Sequence, residues 1–487
     1  MKRTFNTGFK LLIFCFFIFM GICRTIAQNL NSVEKVLAEW KNDPDLYHAT
    51  WSFKAINLSD NNIVAEYDAH KSLTPASVMK VVTTGCAFLL KNPNDLLETE
   101  LQYTGTISSD STLWGDLVIY GKGDPTLGSA RFKAQQSDNL FATWKNALQN
   151  SGIKKIEGNI VADNSFFQGE PFPNGWSWGD IGNYFGAGVY GLSFMDNEYK
   201  VIFEEGKKLG EKAKISKIIP KIPDVVFVNN VTVAAANSGD QAIIYAAPNS
   251  SEIHIEGTIP MNKKDFTVRG AIPNPSLILA EAFFDYLQKS GFRIVGTALN
   301  ESRRMQNPKT FYTHKIVTYE QLAYWINVRS VNFYAETMFR LLNNDRNAWK
   351  ESSAFIDSIL SAKNISTSGV KIKDGSGLSR ENLLTSAFLC DFLTLIYKNP
   401  AFHLFDKTLP VSGTSGTLAN FGEKSVIANN LRAKSGSMGG ARAYAGYLEN
   451  RSGETICFSV MINNFECKQS VLTKKIEALL IALAELK

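Results

Sequence analysis

Residues 74–84, TPASVMKVVTT, hold the strongest functional signal in this chain. They place Ser77 three residues before Lys80, so on a helix the hydroxyl and the amine lie on the same face. A serine hydroxyl needs a base to become a nucleophile, and a lysine amine is such a base when burial lowers its pKa. Backbone N–H groups of a first helical turn also stabilise a developing oxyanion. The stretch therefore predicts a nucleophile, its base and an oxyanion donor within one turn.

Apolar residues at helical spacing extend this stretch into a predicted helix over residues 75–91. Thr74 is a suitable N-cap and Pro75 a suitable first helical residue. The spacing S-x-x-K alone is weak evidence, because three other serine–lysine pairs in the chain share it. Ser77 differs from those serines in standing at a helix start and in being followed by two further motifs.

The second and third motifs are Ser330–Asn332, just before a predicted helix, and Lys434–Ser437, on a predicted strand near the C-terminus. Each has a simple structural explanation on its own, a helix cap for the first and an exposed edge-strand lysine for the second. Together with Ser77 and Lys80 they occur in the order S-x-x-K, S-x-N, K-[ST]-G. That order is typical of the serine enzymes that recognise penicillin.

The chain resembles the serine D-alanyl-D-alanine carboxypeptidase/endopeptidases of the penicillin-binding protein 4 type, which are class C low-molecular-mass penicillin-binding proteins. The resemblance implies an α/β fold: a penicillin-binding transpeptidase/β-lactamase-like domain, with an antiparallel sheet flanked by helices, and a large β-rich inserted region. The stretches that carry the resemblance span nearly the whole chain. They are PASVMKVVTT, GKGDPTL (121–127), GWSWGDIGNYFGA (175–187), RSVNFYAE (329–336), DGSGLSREN (374–382), LPVSGTSGTL (409–418) and AKSGSMGGARAYAGY (433–447).

The resemblance implies a catalytic role for the residues of the first two motifs. Ser77 would attack the carbonyl of the D-Ala–D-Ala bond and form an acyl-enzyme, while Lys80 takes its proton. Ser330 would relay a proton to the leaving D-alanine amine. Asn332 would hold both the substrate amide and Lys80.

The third motif is expected to bind the substrate. Lys434 and Ser435 would hold the terminal carboxylate, and Gly436 belongs to the same set. The backbone N–H groups of Ser77 and Ser437 would form the oxyanion hole. The family has threonine where this chain has Ser435, so the hydroxyl is kept and a methyl group is lost.

Asp180 is a further predicted substrate-binding residue. The resemblance implies that it faces the amine of the third residue of the substrate peptide. An acid at this position also suits a loop or a helix cap, so the structural alternative stays open.

Hydrophobic patterns divide the chain into four segments. Residues 1–27 are a predicted signal peptide, with a positive start, an apolar run and a cleavage site near Ala27; an uncleaved anchor is the alternative. Residues 28–95 and 271–487 are predicted to form the two parts of the transpeptidase-like domain. Residues 96–270 are rich in short strands and are predicted to form the insert, as one body or as two small modules.

Composition excludes other classes of function. The predicted signal peptide holds four of the 51 Lys and Arg residues and no acid, which leaves 47 basic against 46 acidic residues and no expected nucleic-acid partner. The five histidines lack the paired spacing of a zinc peptidase, so neither a metal nor a cofactor is expected. Export to the periplasm or cell envelope permits disulfides, and Cys457–Cys467 is one pairing that the spacing allows.

The predicted function is therefore cleavage of peptidoglycan stem peptides by a serine D-Ala-D-Ala carboxypeptidase/endopeptidase that β-lactam antibiotics acylate. A serine β-lactamase or esterase of the same fold is the first alternative, and rapid turnover of a cephalosporin would distinguish it. A non-catalytic peptidoglycan-binding protein is the second alternative, and ligand binding without D-alanine release would distinguish it.

Overall fold

The computed structural model describes residues 31–248, 250–343 and 349–487. The predicted signal peptide of residues 1–27 lies outside these ranges. Within them, no helix combines the length and the apolar character needed to cross a membrane.

Helices pack around the sheets and connect them. In chain order they are α1 (Ser32–Trp40), α2 (Met79–Leu90), α3 (Ser137–Asn150), α4 (Trp178–Ile181), α5 (Pro275–Lys289), α6 (Tyr319–Arg329), α7 (Asn332–Leu342), α8 (Trp349–Ala362), α9 (Ser386–Tyr397), α10 (Phe402–Lys407) and α11 (Gln469–Ala484). Short 3-10 helices lie at Pro44–Leu46, Ala76–Val78, Lys133–Gln135, Tyr184–Gly186, Met195–Asn197 and Gly416–Leu418.

The strands are numbered in chain order. They are β1 (Thr50–Asn57), β2 (Ile63–Tyr67), β3 (Leu96–Tyr103), β4 (Thr106–Ile107), β5 (Thr112–Trp114), β6 (Leu117–Gly121), β7 (Lys155–Ile156), β8 (Ile160–Asp163), β9 (Glu198–Phe203), β10 (Ile215–Ile219), β11 (Val226–Asn229), β12 (Thr232–Ala234), β13 (Ile243–Ala246), β14 (Glu252–Glu256), β15 (Thr258–Pro260), β16 (Phe266–Ala271), β17 (Arg293–Ile294), β18 (Ala298–Glu301), β19 (Lys309–Thr318), β20 (Arg432–Met438), β21 (Ala441–Glu449) and β22 (Thr455–Asn463).

A five-stranded antiparallel sheet joins the two ends of the chain, in the order β2-β1-β22-β21-β20. Successive residues of a strand point to opposite faces, so both faces of β22 are apolar and buried. Phe458 faces the core shared with α1 and α11, whereas Cys457 faces the core that contains α2 and α9. The predicted antiparallel sheet flanked by helices is confirmed.

The strands from β3 to β19 form the β-rich part of the molecule. Its largest sheet has the order β18-β8-β6-β3-β19, and a second core, which includes Trp144 of α3 and Phe283 of α5, packs with it. Because α5, β18 and β19 all follow residue 270, the predicted end of the insert falls inside this core. We propose that the insert ends near Thr318; the division into domains otherwise stays as predicted.

The four cysteines of the described residues are free thiols. Cys457 lies on β22 with its sulfur 3.7 Å from the carbonyl oxygen of Cys390 on α9. Cys467 follows the end of β22 and is half-buried elsewhere. The pairing of Cys457 with Cys467, which the sequence left open, is not formed, because the strand turns Cys457 towards α9.

Candidate active site

Ser77 lies in the 3-10 helix Ala76–Val78, which leads directly into α2. The predicted N-cap role of Thr74 is wrong, because its N–H donates to the side chain of Asn463 at 2.8 Å and no side chain caps the 3-10 helix. Ala76 has a φ of +46°, in the left-handed region. Such a conformation costs a residue with a side chain about 1–3 kcal/mol and is common beside reactive groups. Strain is therefore stored directly before Ser77.

The third motif packs against this turn through Gly436 of β20. A Cβ atom on Gly436 would lie 2.5 Å from the carbonyl oxygen of Pro75 and 3.1 Å from the backbone nitrogen of Ser77. Glycine is thus required for β20 to approach so closely. The close packing brings the edge strand of the central sheet beside the backbone of the nucleophile.

Lys80 is fully buried, and its amine donates three hydrogen bonds. The acceptors are Ser77 Oγ at 3.0 Å, Asn332 Oδ1 at 2.7 Å and the carbonyl oxygen of Ser376 at 2.7 Å. Burial lowers the pKa of Lys80 to about 7, although the negative charges of Glu336 and Asp374 oppose the shift. A lysine with a pKa near neutrality can accept the proton of the serine.

The second motif joins α6 to α7. Ser330 ends α6 with a φ of +56°, and Asn332 begins α7. The amide of Asn332 accepts from Lys80 and donates to the carbonyl oxygen of Phe185 at 2.8 Å, so both of its ends are fixed. Ser330 is half-buried, and within the described ranges its hydroxyl makes no hydrogen bond. That hydroxyl is available to a bound molecule.

Lys434 has a fully buried amine on β20. Its amine donates to the carbonyl oxygen of Ser435 at 2.6 Å, and no carboxylate in the described part of the chain pairs with it. Burial lowers the pKa of Lys434, and the positive charges of Lys80 and Arg442 lower it further. A buried cation without an anion is costly, so this position is suited to receive an anionic group.

Ser435, Ser437 and Asp180 occupy different surroundings. Ser435 donates a hydrogen bond to the hydroxyl of Thr417 at 2.8 Å. Ser437 is exposed near the end of β20, the edge strand. Asp180 lies on α4 and is half-buried; burial raises its pKa, and the positive charge of Arg380 opposes this.

The structure therefore joins Ser77, Lys80 and Asn332 in one hydrogen-bonded cluster. Gly436 contacts its backbone, and Lys434 lies near enough to Lys80 for the two positive charges to interact. Ser330 adjoins the cluster through the chain. Among the described residues, no hydrogen bond links Ser437 or Asp180 to it.

The loop at residues 374–382 supports this cluster, whereas its sequence predicts only a tight turn at residues 375–378 near the site. Asp374 accepts hydrogen bonds from the indole of Trp176 at 2.9 Å and from the backbone N–H groups of Gly377 and Ser379. The loop in turn offers the carbonyl oxygen of Ser376 to Lys80. A buried acid within a run of glycine and serine was the available signal, because backbone N–H groups in a tight loop need acceptors.

Glu336 and Thr417 were also missed as individual residues. Glu336 is a fully buried carboxylate that interrupts the apolar face of α7, an arrangement which usually requires specific partners. Thr417 lies in the 3-10 helix Gly416–Leu418 beside Ser435. Both belong to stretches that carried the resemblance, RSVNFYAE and LPVSGTSGTL.

One protein-family model matches almost the whole chain. The model described as the D-Ala-D-Ala carboxypeptidase 3 (S13) family matches residues 33–486. Among curated proteins, the D-alanyl-D-alanine carboxypeptidase DacB of Haemophilus influenzae is 28% identical over 423 residues, covering 85% of each chain. A D-alanyl-D-alanine carboxypeptidase of an Actinomadura species is 23% identical over 460 residues, covering 91% of this chain and 82% of that protein.

Solved structures show the same likeness. Penicillin binding protein 4 of Haemophilus influenzae superposes with a TM-score of 0.79 at 26% identity, covering 90% of this chain and 97% of that one. A second structure of that protein, in complex with a β-lactam, gives a TM-score of 0.75 at 23% identity and covers 94% of this chain and 100% of that one. The architecture described above is therefore the architecture of those proteins.

Proposed function

The chain belongs to the D-Ala-D-Ala carboxypeptidase 3 (S13) family, and we propose that Ser77 is the nucleophile with which it cleaves the D-Ala–D-Ala bond of peptidoglycan stem peptides. One observation carries the proposal. The buried amine of Lys80 lies 3.0 Å from Ser77 Oγ, in surroundings that lower its pKa to about 7. The geometry is that of a nucleophile with its general base.

In the first step, Ser77 Oγ forms a bond to the carbonyl carbon of the penultimate D-alanine while its proton moves to Lys80. The carbonyl oxygen becomes an oxyanion, which the backbone N–H groups of Ser77 and Ser437 stabilise. Each such donor is worth about 3 kcal/mol of barrier in other acyl-transfer enzymes. The closeness of Gly436 to Ser77 supports placing these two donors on either side of one oxygen.

In the second step, the C–N bond breaks and terminal D-alanine leaves. Ser330 passes the proton from Lys80 to the departing nitrogen, and its unpartnered hydroxyl supports this role. Water then attacks the ester on Ser77 and gives a proton to Lys80. The ester C–O bond breaks, Lys80 returns that proton to Ser77 Oγ, and the shortened peptide is released. Asn332 keeps Lys80 in line for both steps through its 2.7 Å hydrogen bond.

Substrate recognition rests on the free C-terminal carboxylate of the stem peptide. Lys434 supplies a buried amine that is charged when it pairs with the carboxylate. Ser435 supplies a hydroxyl whose proton would turn from Thr417 to the carboxylate. A charge-assisted hydrogen bond in such a site is roughly twice as strong as one between neutral groups. Asp180 is proposed to bind the amine of the third peptide residue, as an ionised acid beside an ammonium group.

We propose two extensions of this activity. The same acyl-enzyme forms when the leaving amine belongs to a neighbouring stem peptide, which makes the protein an endopeptidase on cross-links. β-Lactams acylate Ser77 because their strained amide mimics the scissile bond; the similarity to a protein named for penicillin binding supports this.

We also propose that residues 1–27 direct the chain to the periplasm, with cleavage near Ala27.

The decisive experiment measures D-alanine release from a stem pentapeptide by the wild-type protein and by Ser77→Ala. Release by the wild type and none by the variant is the expected result. Labelled penicillin should give a mass adduct on the peptide that contains Ser77. Binding of the pentapeptide without release, unaltered in Ser77→Ala, would instead identify a non-catalytic binding protein. Rapid turnover of a cephalosporin would identify a β-lactamase.

A further inference from the structure

A buried carboxylate lies behind the general base and takes no part in the steps above. Glu336 follows Asn332 by four residues on α7, so both side chains lie on one face of that helix. Its two oxygens accept from consecutive backbone N–H groups, Oε2 from Gly375 at 2.9 Å and Oε1 from Ser376 at 2.7 Å. Glu336 thus fixes the orientation of two adjacent peptide groups.

The carbonyl oxygens of these same two residues both bind α2. Ser376 accepts from Lys80 at 2.7 Å, and Gly375 accepts from the hydroxyl of Thr83 at 2.7 Å. Any shift of the loop therefore moves an acceptor of Lys80. The loop lies tightly on α7, since a Cβ on Gly375 would lie 2.7 Å from the carbonyl oxygen of Ala335.

The charges around Lys80 come from three elements. Glu336 on α7 and Asp374 in the loop raise the pKa of Lys80, while burial lowers it. Lys434 on β20 adds a second positive charge nearby. Burial and the negative charge of Asp374 raise the pKa of Glu336 to about 8, while hydrogen bonds from Ser376 and Gly375 lower it. Both oxygens of Glu336 accept hydrogen bonds from backbone N–H groups, which is the arrangement of an ionised carboxylate.

We propose that Glu336 is a positioning residue for the general base: its carboxylate holds the 375–376 peptide so that Ser376 directs the amine of Lys80 at Ser77, and its negative charge balances the ammonium that forms there. During acylation the proton moves from Ser77 Oγ to Lys80 and later to the leaving nitrogen; Glu336 neither gains nor loses a proton. The inference rests on the proposed function, because it needs Lys80 to be the base.

A purely structural role for Glu336 predicts a different outcome. A buried acid that only holds the loop would lower activity and stability together when replaced, without changing the pH at which the base becomes active. If the charge of Glu336 also sets the pKa of Lys80, replacing Glu336 would change the pH at which the base becomes active. The two explanations therefore separate in a pH profile, and activity at a single pH does not distinguish them.

The test compares Glu336→Gln, Glu336→Asp and Glu381→Gln with the wild type. Glu381 belongs to the same loop but is exposed and binds only Lys371 and Lys373 through salt bridges, so its variant is the matched control for loss of one carboxylate. The measured quantity is the second-order rate constant for acylation by a fluorescent penicillin, from about pH 5 to about pH 10. Thermal unfolding of each variant is recorded in parallel.

We expect Glu336→Gln to lower the plateau rate at least roughly tenfold and to move the acid limb down by about one pH unit, because loss of an anion lowers the pKa of the base. Glu336→Asp keeps the charge but shortens the reach. It should lower the plateau and leave the acid limb within about half a unit of the wild type. Glu381→Gln should match the wild type in both respects.

Two results would overturn the inference. One is a Glu336→Gln protein that folds and keeps the wild-type profile; the other is a lower plateau with an unmoved acid limb. If Glu336→Gln does not fold, Glu336→Asp is the variant that tests the inference. A folded Glu336→Asp protein that is acylated at the wild-type rate would contradict the positioning role. The failure of the proposed function itself looks different, because the wild-type protein would then take up no penicillin on Ser77.

Discussion

Lys80 reaches Ser77 with a 3.0 Å hydrogen bond across one turn of the chain, although its amine is fully buried. Its amine donates hydrogen bonds to polar groups of Ser77, Asn332 and Ser376. Its lowered pKa suits the proposed role of proton acceptor, because a general base is most effective when its pKa is near the working pH.

The pH dependence of acylation follows from this arrangement. Lys80 accepts a proton only in its neutral form, and burial lowers its pKa to about 7. The second-order rate constant for acylation by penicillin should therefore rise with pH through about 7 and then level off. Stopped-flow or gel-based measurement of acylation across this range checks the expectation. A rate constant that stays flat between about pH 5 and about pH 9 would show that another group is the base.

Replacing Lys80 by methionine should slow acylation by about 10²–10⁴-fold, the usual contribution of a general base. Methionine keeps most of the apolar volume and removes the amine. Lys154→Met is the control, since Lys154 is an exposed lysine that also follows a serine at the S-x-x-K spacing. Acylation assays of both variants are the measurement. Equal rates for wild type and Lys80→Met would refute the catalytic assignment.

Ser435 should govern substrate affinity more than turnover. Its hydroxyl donates to the hydroxyl of Thr417 at 2.8 Å, and its backbone carbonyl oxygen accepts from the amine of Lys434. Ser435→Ala should raise KM for the pentapeptide roughly tenfold, which corresponds to the loss of one charge-assisted hydrogen bond. Ser435→Thr keeps the hydroxyl and should stay within about threefold of the wild type. Steady-state kinetics measures KM for both variants. A higher KM for Ser435→Thr than for Ser435→Ala would show that the shape of the side chain matters more than its hydroxyl.

Gly436→Ala should impair both folding and acylation. The added Cβ would lie 2.5 Å from the carbonyl oxygen of Pro75, so β20 has to move away from the nucleophile. Overpacking of this kind costs about 1–3 kcal/mol of unfolding free energy. Gly439→Ala is the control, because its Cβ would meet only the end of Arg380 at 3.5 Å. Thermal unfolding and acylation rates of the two variants give the comparison, and identical behaviour would argue that β20 adjusts freely.

The amino-acid sequence was sufficient to predict the central sheet and the positions of the three motifs. The motifs are short local patterns, and their serine and lysine residues indicate nucleophilic attack assisted by a base. Ser77, Lys80 and Asn332 could be grouped from the motifs alone, because ordered motifs at helix starts and on a strand are rare by chance. The roles assigned to individual residues stay predictions until they are measured.

What the sequence did not predict depends on contacts between distant segments. Glu336 binds a loop 39 residues further along the chain, and nothing in its local pattern names that partner. The left-handed conformation of Ala76 occurs where a distant segment packs closely on the turn: a Cβ on Gly377 would lie 1.9 Å from the carbonyl oxygen of Ala76. The contact of Cys457 with Cys390 was not predicted for the same reason, because the pairing of the whole sheet decides which face of a strand each side chain lies on.

The pairing of β1 with β22 carries a consequence for biosynthesis. Ser77 leaves the ribosome early, but β20, the strand with Lys434 that we propose to bind the substrate, emerges only near the end of translation. Contacts between such remote segments form slowly, after the intervening chain has been made. A nascent or truncated polypeptide thus carries its reactive alcohol without the partner strand. We therefore expect no hydrolase activity until β20, β21 and β22 have joined the sheet.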